Sequence, residues 1–222
     1  MIYKKLKKVV RLYEKYWDGA YFEAYDYLRN YLKNNKLSDI RNEDIERSIS
    51  KFFKIWMKMM RIKWSDQKII HNIKEIVRLF SRHFDKLKNE KLEEIEFDEN
   101  IRTTIEKIFN AFRNIEVGGG RRLGSVGTSK MMHIILPELF PMWDIQIRYS
   151  YGYNNDDAEN FIQFMKKMQE EAKELLKSWG KTKEELCNEF EFHRERRTLP
   201  KLIDEYNFVL TRKGYINYFK KL

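Results

Sequence analysis

A single cysteine, Cys187, stands in a chain of 222 residues. That excludes an intramolecular disulfide and any zinc or iron–sulfur site built from cysteines, and it suits a reducing, cytoplasmic compartment. Proline is equally scarce, at three residues, and glycine reaches only nine. Few residues therefore interrupt regular structure. No apolar run approaches the roughly 18 residues that a membrane-crossing helix needs. The opening MIYKKLKKVV is basic and runs directly into a charged helical pattern, without the apolar core of a signal peptide. These absences point to a soluble protein with no membrane partner.

What the chain does contain is a core and an excess of positive charge. Hydrophobic residues make up 42% and aromatics 15%, which is enough to bury a proper interior and excludes disorder. Lysine and arginine number 44 against 34 acidic residues, a net charge of +10. A balance of that size fits an anionic partner such as nucleic acid, and it equally serves solubility.

Apolar residues recur at helical spacing almost throughout, so the fold class is all-α. Residues 2–33 read as two helices divided at Asp18-Gly19, and Asn42 reads as the cap of a third carrying Ile45, Ile49, Phe52 and Phe53. Ser65-Asp66-Gln67 opens a helix with Ile69, Ile73, Val77, Phe80 and Phe84 inward. The acidic run at 90–99 reads as a solvated linker ending in a cap at Asp98, which divides the chain into lobes at 1–98 and 99–222. A helix from Thr103 to Ile115 follows, and later ones open at Asp156-Asp157, Thr182 and Leu199, with Gly180 as a C-terminal cap. The end, NFVLTRKGYINYF, reads either as helix or as a short β-hairpin turning at Lys213-Gly214. His193, Arg194, Arg196 and Arg197 form a basic cluster suited to phosphate contacts.

The exception to the scarcity of glycine is VGGGRRLGSVGTSKMMHIILPELFPMWDIQIRYSYGY, Val117 to Tyr153. It holds six of the nine glycines and two of the three prolines. A glycine turn followed by an apolar helix places unpaired backbone N–H groups and a partial positive charge beside the turn. Phosphate can approach closely there, and Arg121, Arg122 and Lys130 add cationic reach. The other reading is a tight interhelical turn with ordinary surface arginines. A nucleotide P-loop does not fit: Ser129 precedes Lys130 where that motif has glycine, and Met131 follows the lysine.

The run Leu123-Gly124-Ser125-Val126-Gly127-Thr128-Ser129-Lys130, an apolar helix, a proline-containing corner and then Asp144 resembles the helix-hairpin-helix DNA glycosylase superfamily. That family includes the endonuclease-III-like and 8-oxoguanine glycosylases. The resemblance covers about residues 103–152. Ser125 and Gly124 stand where the family has glycine and proline, and Lys130 lies one residue further from the second glycine. It implies a two-lobed helical fold with a helix-hairpin-helix motif, and a grip on DNA through Gly124, Ser125, Val126, Gly127, Thr128 and Ser129 with Arg121 and Arg122. It further implies Asp144 as the catalytic carboxylate and Lys130 as a Schiff-base nucleophile, with His133, Trp143 and Tyr149 lining a base pocket. Plainer roles stand beside each of these. Asp144 reads as a helix cap, Lys130 as a phosphate-contacting or solvated lysine, and His133, Trp143 and Tyr149 as packing residues.

The expected function is base-excision repair of a damaged or mismatched base in double-stranded DNA, by a monomer without metal or cofactor. The alternative is a non-catalytic nucleic-acid-binding module on the same scaffold.

Overall fold

A computed structural model describes residues 3–16, 20–57, 62–190 and 197–212. Twelve α-helices are found among them: α1 (Tyr3–Tyr16), α2 (Ala20–Asn34), α3 (Asn42–Ile45), α4 (Lys51–Trp56), α5 (Gln67–Leu79), α6 (Ser81–Leu87), α7 (Glu99–Arg113), α8 (Gly124–Ile135), α9 (Ile145–Ser150), α10 (Ala158–Trp179), α11 (Lys183–Asn188) and α12 (Leu199–Thr211). A short 3₁₀ turn, Leu37–Asp39, precedes α3, and a π-helical turn, Glu46–Ser50, joins α3 to α4. No strand occurs among the described residues, and the fold is all-α. The C-terminal hairpin alternative meets a correction: Asn207 to Thr211 continue α12, while Lys213-Gly214 lies outside the described residues.

The helix boundaries follow capping chemistry. Asp66, Asp98, Asp157, Thr182 and Thr198 each accept a backbone N–H from the first turn of the helix that follows. Gly180 ends α10 in the left-handed conformation, its N–H bonded to Leu176 O. At α3 the cap is Arg41 rather than Asn42, and Asp44 reaches back to accept the Arg41 N–H at 2.9 Å. The helix expected through Phe84 breaks at Phe80, whose backbone leaves the helical region between α5 and α6.

The chain forms two compact units. One comprises 1–18, 90–96 and 137–222, and the other comprises 19–89 and 97–136. The chain passes between them four times, where a single break after residue 98 is the sequence expectation. The acidic stretch belongs to the first unit because its apolar residues are swallowed there. Leu92 and Ile95 are buried, Leu92 N–H bonds Glu138 O, and Ile95 O accepts from Gln169. Lys183 pairs with both Glu93 and Glu138. A solvated linker is thus the wrong description of residues 90–96.

In that first unit α12 packs on α1, α9 and α10. Trp143 sits wholly buried beside Phe161 and Phe164, with ring centroids 5.2 and 5.5 Å away. A buried ionic group ties α12 to α1. Arg197 bonds Glu14 at 2.9 Å and lies 3.1 Å from Glu205, and Lys201 bonds Asp204 at 2.9 Å. Arg197 is therefore a structural cation and not a phosphate contact, while residues 191–196 lie outside the described set. Buried charges persist only when paired in this way.

In the second unit α7 packs on α8, and Ile105, Ile108, Phe109 and Phe112 lie on the buried face of α7. Phe52, Phe53 and Trp64 form an aromatic block at α4, with the Phe53 and Trp64 centroids 4.6 Å apart.

Candidate functional site

The glycine turn forms, but earlier in the chain than the resemblance implies. After α7, Glu116 and Arg122 form an isolated antiparallel bridge, closed by Val117 N–H to Arg121 O at 2.9 Å and Leu123 N–H to Ile115 O at 2.9 Å. Gly118, Gly119 and Gly120 make the reversal, all at positive φ (89°, 62° and 69°). Three consecutive residues in that region need glycine. Ile115 and Val117 anchor the base of the turn inward, while Arg121 and Arg122 are exposed beside its tip. Arg122 Nη1 donates to Asn114 Oδ1 at 2.7 Å, which holds the guanidinium against the end of α7.

Gly124 to Ser129 are the first half of α8 and not a turn. Thr128 Oγ1 donates to Gly124 O at 2.7 Å and Ser129 Oγ donates to Val126 O at 3.0 Å. Ser125, Thr128 and Ser129 are buried, and the Thr128 and Ser129 hydroxyls are bonded within the helix. Gly124 and Val126 are half-buried. Gly127 is glycine for a packing reason: the Leu123 side chain fills the space a Cβ would take. Lys130 is half-buried on α8 and His133 is fully buried in it.

The corner after α8 delivers Asp144. Pro137 follows Leu136, whose backbone has already left the helix, so α8 ends at Ile135. Asp144 is the N-cap of α9, with Oδ1 accepting Ile147 N–H at 2.8 Å. Its other oxygen, Oδ2, accepts from Arg212 Nη2 at 3.1 Å. The carboxylate is only partly covered, at 18% side-chain exposure.

Around it α9 presents an uneven face. Ile145 and Tyr149, four apart and hence on one side of the helix, are 54% and 55% exposed. Arg148 is buried, only 8% exposed, with its guanidinium carbon 4.9 Å from the Tyr149 ring centre and 5.9 Å from that of Trp143. The Nε atoms of Arg148 and Arg212 have no hydrogen-bond partner. Trp143 itself is wholly buried among phenylalanines, so it supports this surface from beneath and offers no ring to a ligand.

Behind α9, Tyr151 Oη lies 3.0 Å from Glu171 Oε1 and 2.9 Å from Asn207 Oδ1. Burial, together with the Glu171 charge, pushes the Tyr151 hydroxyl well above its ordinary value. Burial likewise raises the Glu171 carboxyl, against the lowering effect of the Tyr151 hydrogen bond.

Of the residues expected at a site, Asp144, Trp143 and Tyr149 come together in the first unit, and Arg121, Arg122, Lys130 and His133 belong to the second. Arg148, Arg212 and Ile145 escape sequence reading. Arg148 lies one helical turn past Asp144 and was legible in principle, whereas Arg212 is 68 residues away with no pattern to announce it. Among the described residues no three His, Cys, Asp or Glu side chains are grouped to hold a metal ion. None of the described helices is long and apolar enough to cross a membrane. Comparison with protein-family models, curated proteins and solved structures finds no match for this chain in any of the three.

Proposed function

We propose that this chain binds double-stranded DNA and excises a damaged or mismatched base, with Asp144 as the carboxylate that stabilises the reacting sugar. The observation that carries this reading is the setting of Asp144: one oxygen fixed by the first turn of α9, the other against Arg212, on a helix holding Ile145 and Tyr149 out in solvent. A base must leave the stack to be attacked, and an exposed aromatic with a cation over its face is suited to receive it. As the N-glycosidic bond breaks, its electron pair leaves with the base and positive charge grows on the sugar. A carboxylate held in place stabilises that charge without reorganising. Water then adds to the anomeric carbon, and its proton ends on the departing base. Arg121 and Arg122, with the glycine turn, supply a sequence-independent grip on phosphate. The resemblance gives Lys130, which belongs to the second unit, the role of a lyase amine, and that role is tested separately.

Base release from duplexes carrying uracil, 8-oxoguanine or mismatches tests the reaction, and borohydride trapping with Lys130→Ala as control tests the amine. Release without trapping leaves a simple glycosylase. A second reading, non-catalytic DNA binding, is favoured by one specific observation: both oxygens of Asp144 are already engaged. Salt-sensitive DNA binding with no base release from any duplex would select it.

A further inference from the structure

The second unit holds a cavity that the DNA-binding reading does not use. It opens to solvent and has a volume of about 590 Å³, beside the π-helical turn Glu46–Ser50 and the start of the segment before α5. That volume is in the range of small-molecule sites. Single π-helical turns are uncommon and recur at functional sites, because the extra residue redirects side chains and disturbs the backbone ladder. Here Lys51 N–H reaches back five residues to Glu46 O.

Two of the lining residues each carry a buried polar atom without a hydrogen-bond partner, Ser50 Oγ and Trp64 Nε1, and these residues are only 3% and 2% exposed. An orphaned hydroxyl and an orphaned indole N–H next to a cavity call for an acceptor, since buried donors are nearly always satisfied. Trp64 is held in this position by its packing on Phe53, so the N–H direction is fixed. The rim supplies Arg47, Lys51 and Lys54 against Glu43 and Glu46, an excess of positive charge. Lys51 is shared with Glu23, and Arg47 lies over the Tyr27 ring, which leaves both as adjustable arms rather than rigid walls.

We infer that this cavity is a binding site for a small phosphorylated molecule of about nucleotide size. Its phosphate would meet the Lys51 and Lys54 ammonium groups and the Ser50 hydroxyl. Its hydroxyl or amino groups would donate to Glu43 and Glu46, and an acceptor on its body would take the Trp64 N–H. Ser50 Oγ and Trp64 Nε1 are covered in this structure, so a ligand reaches them only as the Lys51 and Lys54 side chains and the lining around them shift. The inference stands independently of the Asp144 reading.

The test is ¹⁵N–¹H correlation NMR of the full chain titrated with adenosine 5′-monophosphate, ribose 5-phosphate and inorganic phosphate. The Trp64 indole resonance is assigned by its loss in Trp64→Phe, a substitution that keeps the ring packing. The expected result is a saturable shift of that resonance with at least one organic phosphate. Ser50→Ala should weaken binding by roughly threefold to tenfold and Lys51→Gln/Lys54→Gln by at least about tenfold, with the folded spectrum retained. An indole resonance unmoved at roughly 10 mM of every probe, where ligand efficiency allows nucleotide-sized ligands to saturate a real site, overturns the proposal. Binding that Ser50→Ala and the double lysine variant leave unchanged overturns it as well, by placing the phosphate elsewhere.

Discussion

Arg212 Nη2 lies 3.1 Å from Asp144 Oδ2, and this contact joins the residue after α12 to the cap of α9. It divides the work of the carboxylate: Oδ1 holds the helix and Oδ2 faces a cation. The two tasks separate by mutation. Asn caps a helix as well as Asp does, so Asp144→Asn should leave stability within about 0.5 kcal/mol of the parent, while Asp144→Ala should cost about 1 kcal/mol. Urea denaturation reads the difference. Equal losses in both variants would mean that the charge pair with Arg212, and not the cap, holds this corner together.

The turn at Gly118 to Gly120 puts Arg121 and Arg122 at the surface of the second unit. Replacing both with glutamine should weaken binding to undamaged duplex DNA uniformly across sequences. The slope of log K against log salt should fall by about 2, because roughly one counterion is released per phosphate contact. Fluorescence anisotropy at several salt concentrations measures it. An unchanged slope would remove these arginines from the interface.

Glu171 links stability to pH with a defined sign. Its folded value is raised above the ordinary 4.5 by burial, so the folded state holds the proton more tightly than the unfolded chain. This stabilisation is complete below pH 4.5 and is lost as pH rises through the raised value. Glu171→Gln keeps a partner for Tyr151 Oη and removes the titration. The variant should gain stability over the parent at pH 7 relative to the difference at pH 4. Denaturation midpoints at the two values check it, and a gain confined to pH 4 would reverse the sign.

Cys187 is buried, and its thiol is pushed up to about 12 by that burial, with the Glu138 charge adding to the effect. Iodoacetamide at pH 8 should therefore leave it unmodified in the native protein and react in urea, because the thiolate is the nucleophile. Mass spectrometry of the native sample decides the point, and rapid native labelling would contradict the burial of α11.

What the sequence made legible was mostly local. Asp98, Asp157 and Thr182 announce helices because capping is written within four residues, and the apolar spacing of α7 and α10 needs no distant partner. Asp144 at the head of α9 belongs with these. The glycine stretch was misplaced by several residues because glycine serves two needs. Gly118 to Gly120 take positive φ, whereas Gly127 makes room for Leu123 inside a helix, and composition does not separate the two. Pairings across long separations left no local trace. Arg197 with Glu14, 183 residues apart, looks like a surface charge until α1 and α12 meet. Leu92 and Ile95 were masked by the acids around them, although two buried aliphatics suffice to draw the run into a core.

In the proposed reaction the Asp144 carboxylate takes part in breaking a glycosidic bond. Single-turnover base release, measured on duplexes bearing uracil, 8-oxoguanine and mismatched bases, tests it most directly when parent and Asp144→Asn are compared at equal DNA occupancy. Release by the parent, slowed by at least about a hundredfold in Asp144→Asn while its DNA affinity and stability stay near those of the parent, is the predicted result. Release at the same rate in both proteins, or from neither on any duplex, would contradict it.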